Sequence, residues 1–338
     1  MRRFFLVSIL AVYSLFFVHS LFPFLPWGKK DTIYITPGLV GWLGETGKHK
    51  GVPFYGLHLP TLFKKYGLKV KTAKHLRKCP QAKKIVNLEV IDDKARYFKF
   101  YPSSKMVLFL FEPPSVLPQN YDKKYHKYFS KIYTFNDDLV DNKKYLKFYY
   151  PGYKSMRKDY RPFKEKKLCT LISRNKKSTH PFELYSERIK AIRSFEKLAL
   201  EDFDMYGQFW DYKEFPSYKG ELGSKDVLLG YKFNIAYENI SSINGYISEK
   251  IFDTFHYGCV PVYLGAPNVE KYIPKNCFID RRDFASDEEL YHFLKNMKES
   301  QYNDYLQNIE KFLSSEEAKL FSTEHFFQIL KDAFDVKD

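Results

Sequence analysis

The sequence has few of the features that mark small secreted domains, metal-binding domains or repeat proteins. Its 338 residues include only four cysteines, and none of them forms a Cys-x-x-Cys pair. A disulfide framework and a structural zinc site are therefore not expected, although a Cys79–Cys169 or a Cys259–Cys277 pair stays open. Internal repeats and low-complexity tracts are also absent, which excludes solenoids and largely disordered chains.

Acidic residues are the scarcer charge, with 40 Asp and Glu against 55 Lys and Arg, a net charge of +15. Such an excess favours polyanions, acidic membranes or a phosphorylated ligand. The basic residues are spread along the chain, and no helix-turn-helix, zinc-finger or RNA-binding signature accompanies them, so we expect no nucleic-acid partner. The glycine-rich stretch 37–47 lacks the G-x-G-x-x-G spacing and is interpreted as a loop.

The N-terminus carries the one long apolar stretch, residues 4–27, directly after Arg2 and Arg3. A membrane-spanning helix needs about 20 mostly apolar residues. We therefore expect residues 1–27 to be an uncleaved single-pass anchor, with a cleaved signal peptide as the alternative. The arginine pair would stay on the cytoplasmic side. This predicts a membrane-associated protein, in the Golgi of a eukaryote, or at the inner membrane or in the cytoplasm of a bacterium.

The rest of the chain alternates short apolar runs with helical patterns, which predicts an α/β fold with doubly wound sheets. A Pro-, Gly- and charge-rich linker at 151–167 separates a domain at 28–150 from one at 168–300, and helices follow at 301–338. We expect strands at 32–36, 84–91, 106–111, 132–135, 168–173, 203–206, 231–237 and 260–264, and helices at 59–66, 181–198, 248–257 and beyond 287.

Residues 237–265 concentrate charge between two apolar strands. Glu238 and Asn239 follow a strand, and ligands of open α/β sheets bind at the carboxyl ends of strands. Ser248 is a good N-cap, which places Glu249 and Lys250 in the first turn of a helix. The unpaired N–H groups of that turn favour a diphosphate. Taken alone, the Glu-Lys pair could also be ordinary solvated surface.

The same segment resembles the donor-binding motif of glycosyltransferase family 10, the α1,3/4-fucosyltransferases. The resemblance rests on YEN at 237–239, YISEK at 246–250 and VPVYLG at 260–265. Weaker similarity covers 168–210 and 111–141, so about half of the chain is matched. The Cys-x-x-Cys near the C-terminus of animal members and the basic amphipathic repeats of many bacterial members are missing.

The resemblance implies a GT-B fold, in which two Rossmann-like doubly wound domains face a cleft, here with an added N-terminal apolar helix. It implies transfer of L-fucose from GDP-β-L-fucose, with inversion, to a hydroxyl of an N-acetylglucosamine-containing glycan, expected at O3. The donor GDP-fucose would bind the second domain and the glycan acceptor the first. No cofactor is obligatory, and a divalent cation is at most stimulatory. The acceptor region is the least matched part of the chain.

The resemblance also implies roles for individual residues. Glu112, which follows a buried run and precedes two prolines, would be the general base. The residues that would bind the donor are Lys250 and Arg188 at the diphosphate, Asn239, Tyr246 and Glu249 at the donor, with Glu249 near the fucose ring, and Ser173 at the nucleotide. Inversion requires such a base, positive charge at the anomeric carbon favours a carboxylate, and a departing diphosphate requires fixed positive charge.

Two alternatives stay open from the sequence. Asp202 and Asp204 form an Asp-x-Asp motif, which would fit a metal-dependent GT-A transferase. A membrane-anchored, non-catalytic glycan-binding protein with a degenerate transferase fold is the other, and an assay of transfer from GDP-fucose separates it from an enzyme.

Overall fold

The fold is described from a computed structural model of the chain. The structure describes residues 31–36, 59–73, 76, 79, 82–91 and 95–336. The expected apolar anchor at 1–27 and the glycine-rich stretch at 37–47 lie outside the described residues. Within the described ranges, no helix is both long enough and apolar enough to cross a membrane.

The chain separates into two compact units by its internal contacts. The second unit takes in residues 133–150, which the sequence assigns to the first domain. Phe135 shows why, since its ring lies 4.6 Å from the ring of Tyr246, which also belongs to the second unit. The first unit is formed by the described residues within Met1–Phe109, Asp122–Ile132 and Ala333–Asp338, and the second by Leu110–Tyr121 and Tyr133–Asp332.

The first sheet has six strands in the order β2-β1-β3-β4-β5-β6. Strand β1 pairs in parallel with β2 and β3, and β3 pairs in parallel with β4. All five residues of β4 are buried, as expected for the continuous apolar run MVLFL in a parallel sheet. Its strands are β1 (Thr32–Thr36), β2 (Lys69–Thr72), β3 (Lys84–Leu88), β4 (Met106–Leu110), β5 (Lys131–Thr134) and β6 (Tyr145–Lys147).

The second sheet has five parallel strands in the order β11-β10-β9-β7-β8. Counted within this sheet, the order is 2-1-3-4-5, that of a flavodoxin-like doubly wound fold. The expected parallel α/β architecture is confirmed here, and the strands at 203–206, 231–237 and 260–264 have the predicted bounds. Its strands are β7 (Lys167–Ile172), β8 (Phe203–Tyr206), β9 (Tyr231–Tyr237), β10 (Val260–Leu264) and β11 (Ile279–Asp280).

The α-helices of the described residues cluster in the C-terminal half of the chain. They are α1 (Leu59–Lys64), α2 (Lys123–His126), α3 (Tyr185–Ala199), α4 (Glu249–His256), α5 (Asp287–Asn296), α6 (Glu299–Leu313), α7 (Glu316–Lys319) and α8 (Thr323–Ala333). Helix α3 connects β7 to β8, and α4 connects β9 to β10. Because parallel crossovers are right-handed and these two run in opposite directions along the sheet, α3 and α4 cover opposite faces.

Helix α3 begins at Tyr185, four residues later than the sequence predicts, so Pro181 is not its first residue. The Glu183 carboxylate accepts hydrogen bonds from the backbone N–H groups of Tyr185 and Ser186, which starts the helix there. Glu183 also forms an antiparallel bridge with Ile240. Residues 181 and 182 form a turn, and the pairing of Glu183 with the loop after β9 delays the start of the helix to Tyr185.

Helix α4 has the ends that the sequence predicts. Ser248 is its N-cap, with the hydroxyl accepting from the backbone N–H of Lys250. Gly258 follows the helix with φ +60°, a left-handed conformation that glycine adopts without steric cost. A Cβ there would lie 2.4 Å from the ring of Tyr160, so packing also requires glycine.

All four cysteines are buried and none is disulfide-bonded. The two pairs left open by the sequence are therefore not formed. Burial raises the pKa of Cys79, Cys259 and Cys277 to about 12, which disfavours thiolate chemistry at these positions.

Lys166 is a buried cation at the start of β7. Its Nζ donates to the carbonyl of Gly258 and, over 2.9 Å, to the hydroxyl of Tyr302. Burial lowers the pKa of Lys166 to about 8, because the ammonium is removed from water and both of these partners are neutral.

We expect this lysine to make the stability of the protein depend on pH. The unfolded chain holds the Lys166 proton up to the usual lysine pKa of 10.5, whereas the folded chain releases it near 8. Wild-type stability should therefore gain up to about 3 kcal/mol from this group as pH rises from 8 to 10.5. Lys166→Met should lack this gain, so its stability advantage over wild type is largest below pH 8. Urea unfolding of both proteins at pH 7, 8.5 and 9.5 measures this, and identical pH slopes would contradict it.

Candidate active site

The carboxyl ends of β7 and β9 lie side by side in the second sheet. In a sheet of order 2-1-3-4-5, the strand order reverses between these two strands, and the crevice outside their carboxyl ends is where ligands bind. Ser173 follows β7, and Glu238 and Asn239 follow β9. The topology therefore brings together residues that the sequence places far apart.

The contacts of Glu238 explain the concentration of charge in residues 237–265. Its side chain is fully buried, and its Oε1 accepts from the backbone N–H of Ser248 over 2.7 Å. The Oε2 atom accepts from the Ser248 hydroxyl over 2.7 Å and from Lys250 Nζ over 2.8 Å. A buried carboxylate needs such partners. Glu238 thus fixes both the N-cap of α4 and the ammonium of Lys250.

Arg188 lies on α3 and is 4% exposed, so it is not the surface residue that its charged helix could suggest. Its Nη2 donates to the carbonyls of Tyr237 and Glu238 over 2.8 and 2.6 Å, and to Asn239 Oδ1 over 3.0 Å. These acceptors are neutral, so the guanidinium brings an uncompensated positive charge to the end of β9. Burial lowers the pKa of Arg188, but an arginine retains its charge at neutral pH.

Tyr246 is 2% exposed and lies under this cluster. Its hydroxyl accepts from Asn239 Nδ2 over 3.2 Å, and its ring packs against Phe135. Burial raises the pKa of Tyr246 well above its usual value, so the phenol stays neutral. Tyr246 therefore contacts Asn239 through its hydroxyl, while its ring is buried.

Ser173 presents a buried hydroxyl that has no hydrogen-bond partner among the described residues. Its backbone is fixed by two hydrogen bonds, because its N–H donates to the carbonyl of Tyr206 and its carbonyl accepts from the indole of Trp210 over 2.8 Å. Gly207 packs against it so closely that a Cβ would lie 1.7 Å from the Ser173 carbonyl oxygen. Ser173 lines a small cavity together with Arg188 and Lys250.

Glu112 belongs to the second unit, although the sequence assigns it to the first domain. Ser115, three residues later, donates from its hydroxyl to the carbonyl of Asn239 over 3.2 Å and so attaches this segment to the loop after β9. Burial raises the pKa of the Glu112 carboxyl, while the charges of Lys250 and Lys176 oppose this and Glu249 adds to it. The carboxylate of Glu112 therefore lies within the electrostatic field of the first turn of α4.

A family model described as "Glycosyltransferase family 10 (fucosyltransferase) C-term" matches residues 161–330, half of the chain. The chain belongs to glycosyltransferase family 10. The match includes both the loop after β7 and the whole segment from β9 through α4 to β10, and it ends within α8. The family 10 resemblance identified from the sequence is thereby confirmed.

Curated relatives of this family 10 protein are named as fucosyltransferases. The "4-galactosyl-N-acetylglucosaminide 3-alpha-L-fucosyltransferase 9" of Mus musculus is 31% identical over 165 residues, which cover 46% of this chain and 42% of that protein. The chain thus spans less than half the length of the relatives that it matches.

Solved structures extend the likeness to the fold of nearly the whole chain. An α1,3-fucosyltransferase has a TM-score of 0.56 at 14% identity, with 91% of this chain and 90% of that chain covered. The structure titled "Crystal Structure of alpha1,3-Fucosyltransferase with GDP-fucose" has a TM-score of 0.52 at 16% identity, with 91% of each chain covered. At such identity, the likeness concerns the fold alone.

The structure brings most of the sequence-predicted site residues of this family 10 protein together. Hydrogen bonds link Arg188, Asn239 and Tyr246, while Ser173, Arg188 and Lys250 line one cavity. Glu249, the first residue of α4, affects the pKa of Glu112, so the two carboxylates are electrostatic neighbours. The roles of these residues stay predictions.

Sequence reasoning assigned no role to three residues of this cluster. Glu238 lies inside the recognised YEN motif, and a glutamate directly after an apolar strand could have been identified as a buried partner for Lys250. Lys176 lies in the loop after β7, where burial and the charges of neighbouring cations lower its pKa, although Glu112 partly offsets this. Lys225 precedes β9 by six residues and lines the cavity. Only the tertiary structure identifies these two lysines.

The Asp-x-Asp motif lies at the opposite end of the sheet. Asp202 directly precedes β8, and its Oδ2 is paired with Lys295 and accepts from the hydroxyl of Tyr291. Asp204 is buried and paired with Lys167 over 2.7 Å. Because these carboxylates are held by lysines and lie near the amino end of β8, they are poorly placed to bridge a metal ion to a ligand at the carboxyl ends.

Proposed function

We propose that the protein transfers L-fucose from GDP-β-L-fucose to a hydroxyl of a glycan, expected at O3 of an N-acetylglucosamine-containing acceptor, with inversion. The observation that carries the proposal is the joint placement of Arg188, Lys250 and the N-terminus of α4 at the carboxyl end of β9, where the charges of Lys250 and Glu249 also act on Glu112. Fixed positive charge favours a leaving diphosphate, and a nearby carboxylate can accept the proton of an acceptor hydroxyl. The names of the curated relatives fit the same reaction.

In this mechanism, Lys250 and the first N–H groups of α4 bind the diphosphate and stabilise the negative charge that grows on GDP. Arg188 adds positive charge and holds Asn239 in place. Ser173 contacts the nucleotide, and Glu249 faces the sugar ring, where positive charge develops at the anomeric carbon. Glu112 removes the acceptor proton from the opposite side. Tyr246 acts through Asn239, since its own ring is buried.

We further propose the GT-B arrangement for this chain, with residues 28–150 on the acceptor side, 151–167 as the linker and 168–300 on the donor side, followed by helices in 301–338. Residues 4–27 would attach the enzyme to a membrane as a single-pass anchor, in the Golgi if the source is eukaryotic. By sequence Glu112 falls within the acceptor-side residues 28–150, although its segment Leu110–Tyr121 belongs to the second compact unit. The partners are GDP-fucose and the glycan, and no nucleic acid.

The deciding experiment incubates the full-length protein in mild detergent with GDP-fucose and a glycan array. We expect fucosylation of a subset of glycans that contain N-acetylglucosamine, and GDP release that depends on the acceptor. Retention of glycans on the array without any transfer or GDP release would instead support the non-catalytic glycan-binding alternative.

We expect the transfer to continue without a divalent cation. If Arg188, Lys250 and the helix N-terminus neutralise the diphosphate, EDTA should leave most of the activity, and added Mn²⁺ should at most stimulate it. Asp202→Asn should lower kcat/KM by less than about threefold, because Asp202 contacts Lys295 and Tyr291 away from the site. Initial rates with and without EDTA measure this. Complete loss that Mn²⁺ restores would favour the Asp-x-Asp alternative.

A further inference from the structure

Lys225 lies at the same cavity as Ser173, Arg188 and Lys250. It is the first residue of a short 3₁₀ turn, Lys225–Gly230, that leads into β9. Its side chain is 42% exposed and its Nζ is paired with the carboxylate of Asp253 on α4. Burial disfavours the charge, but Asp253 and Glu249 raise the pKa of Lys225 above its usual value, so the ammonium is charged at neutral pH.

Asp253 is held from two sides. Its carboxylate is 5% exposed and is paired with Lys225 through one oxygen and with Lys154 through the other, over 2.7 Å. If a buried carboxylate had only one cationic partner, loss of that partner would strongly destabilise the protein. Because Lys154 remains when Lys225 turns away, Lys225 can be shared with a second anion at little cost to Asp253.

The cavity also contains an acceptor that lacks a partner. Asn234 is 6% exposed, and its Oδ1 has no hydrogen-bond partner among the described residues. The amide orientation is fixed, because Thr254 donates its hydroxyl proton to the carbonyl of Lys250 and can only accept from Asn234 Nδ2, over 2.7 Å. The Oδ1 atom therefore faces the other way. An acceptor without a partner at this depth is typical of a water site. The donor that a diphosphate needs is the buried hydroxyl of Ser173, which also lacks a partner among the described residues and lies at the same cavity.

The charges at the cavity are unbalanced. Arg188, Lys225 and Lys250 bring three positive charges, whereas Asp253 is the one carboxylate among the cavity-lining residues that the structure describes. The buried carboxylate of Glu238 neutralises the charge of Lys250. Asp253 and Glu238 offset two of the three positive charges, and Lys154 supplies a second cation to Asp253. The charge of Arg188, which contacts neutral acceptors through its Nη2, therefore stays available and favours an anion.

We infer that Lys225 is a third cationic residue for the diphosphate of the nucleotide donor, held ready by Asp253, which keeps Lys154 as its partner when Lys225 turns to the donor. The inference rests on the proposed function for the identity of the nucleotide. The positive charge of Lys225 would then contribute to ground-state binding of GDP as well as to its departure.

The chain offers a matched control, because Lys154 contacts the same carboxylate but does not line the cavity. We expect Lys225→Met to raise the Kd of GDP by about tenfold or more, the usual effect of losing one charge-assisted contact. Lys154→Met should raise it by less than threefold. Lys225→Arg should recover much of the affinity. Calorimetric titration of the full-length proteins with GDP and with inorganic pyrophosphate gives these values.

A purely structural role for Lys225 would not change the dependence of binding on salt. Loss of a direct ionic contact should make the Kd of GDP less sensitive to NaCl in Lys225→Met than in wild type or Lys154→Met. Equal GDP affinities for Lys225→Met and Lys154→Met would overturn the inference, as would a wild type that binds neither GDP nor pyrophosphate.

The assay of transfer separates the two proposals. If Lys225→Met selectively loses GDP binding but wild type transfers fucose to no glycan, the anion site is supported and the proposed reaction is rejected. Transfer by wild type with unchanged GDP binding in Lys225→Met would retain the reaction and reject the role of Lys225. Thermal melting of each variant confirms that the compared proteins are folded.

Discussion

Glu112→Gln should lower kcat by about 10²–10⁴-fold, the usual contribution of a general base. Glutamine keeps the shape of the side chain but cannot accept the proton of the acceptor hydroxyl. The affinity for GDP should stay within about threefold of wild type or increase slightly, because the replaced charge is negative and lies in the field of Lys250. Steady-state kinetics with GDP-fucose and an acceptor from the array, together with GDP titration, separate the two effects.

The pH profile gives a second measure of the same group. Burial holds the pKa of Glu112 above the usual value of 4.5, although Lys250 and Lys176 counteract part of this shift. A base must be deprotonated, so kcat/KM of wild type should fall as pH decreases through this raised pKa. In Glu112→Gln the remaining activity should lose this acid limb. Rates from pH 4.5 to 8 measure both profiles.

Glu249→Gln is the matched comparison, since it removes an electrostatically coupled carboxylate that is proposed to face the sugar. We expect GDP binding to be retained, while GDP-fucose binding and turnover both decrease. Near-normal turnover by Glu112→Gln would reject it as the base. Glu89, a buried carboxyl residue after β3 with φ +75°, is the next candidate by sequence.

Lys250→Met should weaken the binding of both GDP and GDP-fucose by about 10–100-fold, because a charge-assisted hydrogen bond to phosphate contributes about 1.5–3 kcal/mol. Both ligands carry the diphosphate, so ground-state affinity and turnover should decrease together. The variant should also be less stable by roughly 3 kcal/mol, since Glu238 is fully buried and loses the ammonium that neutralises it. Calorimetry and urea unfolding measure the two losses.

A double variant separates the loss of charge from the loss of structure. In Glu238→Gln/Lys250→Met, the new amide can accept from the Ser248 N–H and donate to the Ser248 hydroxyl, so both contacts to the N-cap are kept. We expect stability to return towards wild type while GDP binding stays weak. Recovery of GDP binding in the double variant would mean that Lys250 serves only to balance Glu238, and that the phosphate is bound by other groups.

The sequence predicted several strands of the second sheet and the ends of α4, because these features depend on residues that are close together in the chain. The run YKFNIAY at 231–237 and VPVYL at 260–264 read as strands, and Ser248 and Gly258 mark the ends of α4 through capping chemistry that involves only neighbouring residues. The family 10 motif combined these elements in one segment. The start of α3 was misplaced because the Glu183–Ile240 bridge, which precedes Tyr185 and delays the start of the helix, is a tertiary contact.

Only the tertiary structure shows which charged residues, far apart in sequence, lie together at the carboxyl ends of β7 and β9. Strand order places β7 beside β9, and this brings Ser173 and Arg188 to the Lys250 motif. Burial then determines the ion pairs. Glu238 pairs with Lys250, Asp253 pairs with Lys225 and Lys154, and Asp202 pairs with Lys295. A sequence lists which side chains can ionise, whereas the cost of burying each charge, and hence its partner and role, depends on the fold that surrounds it.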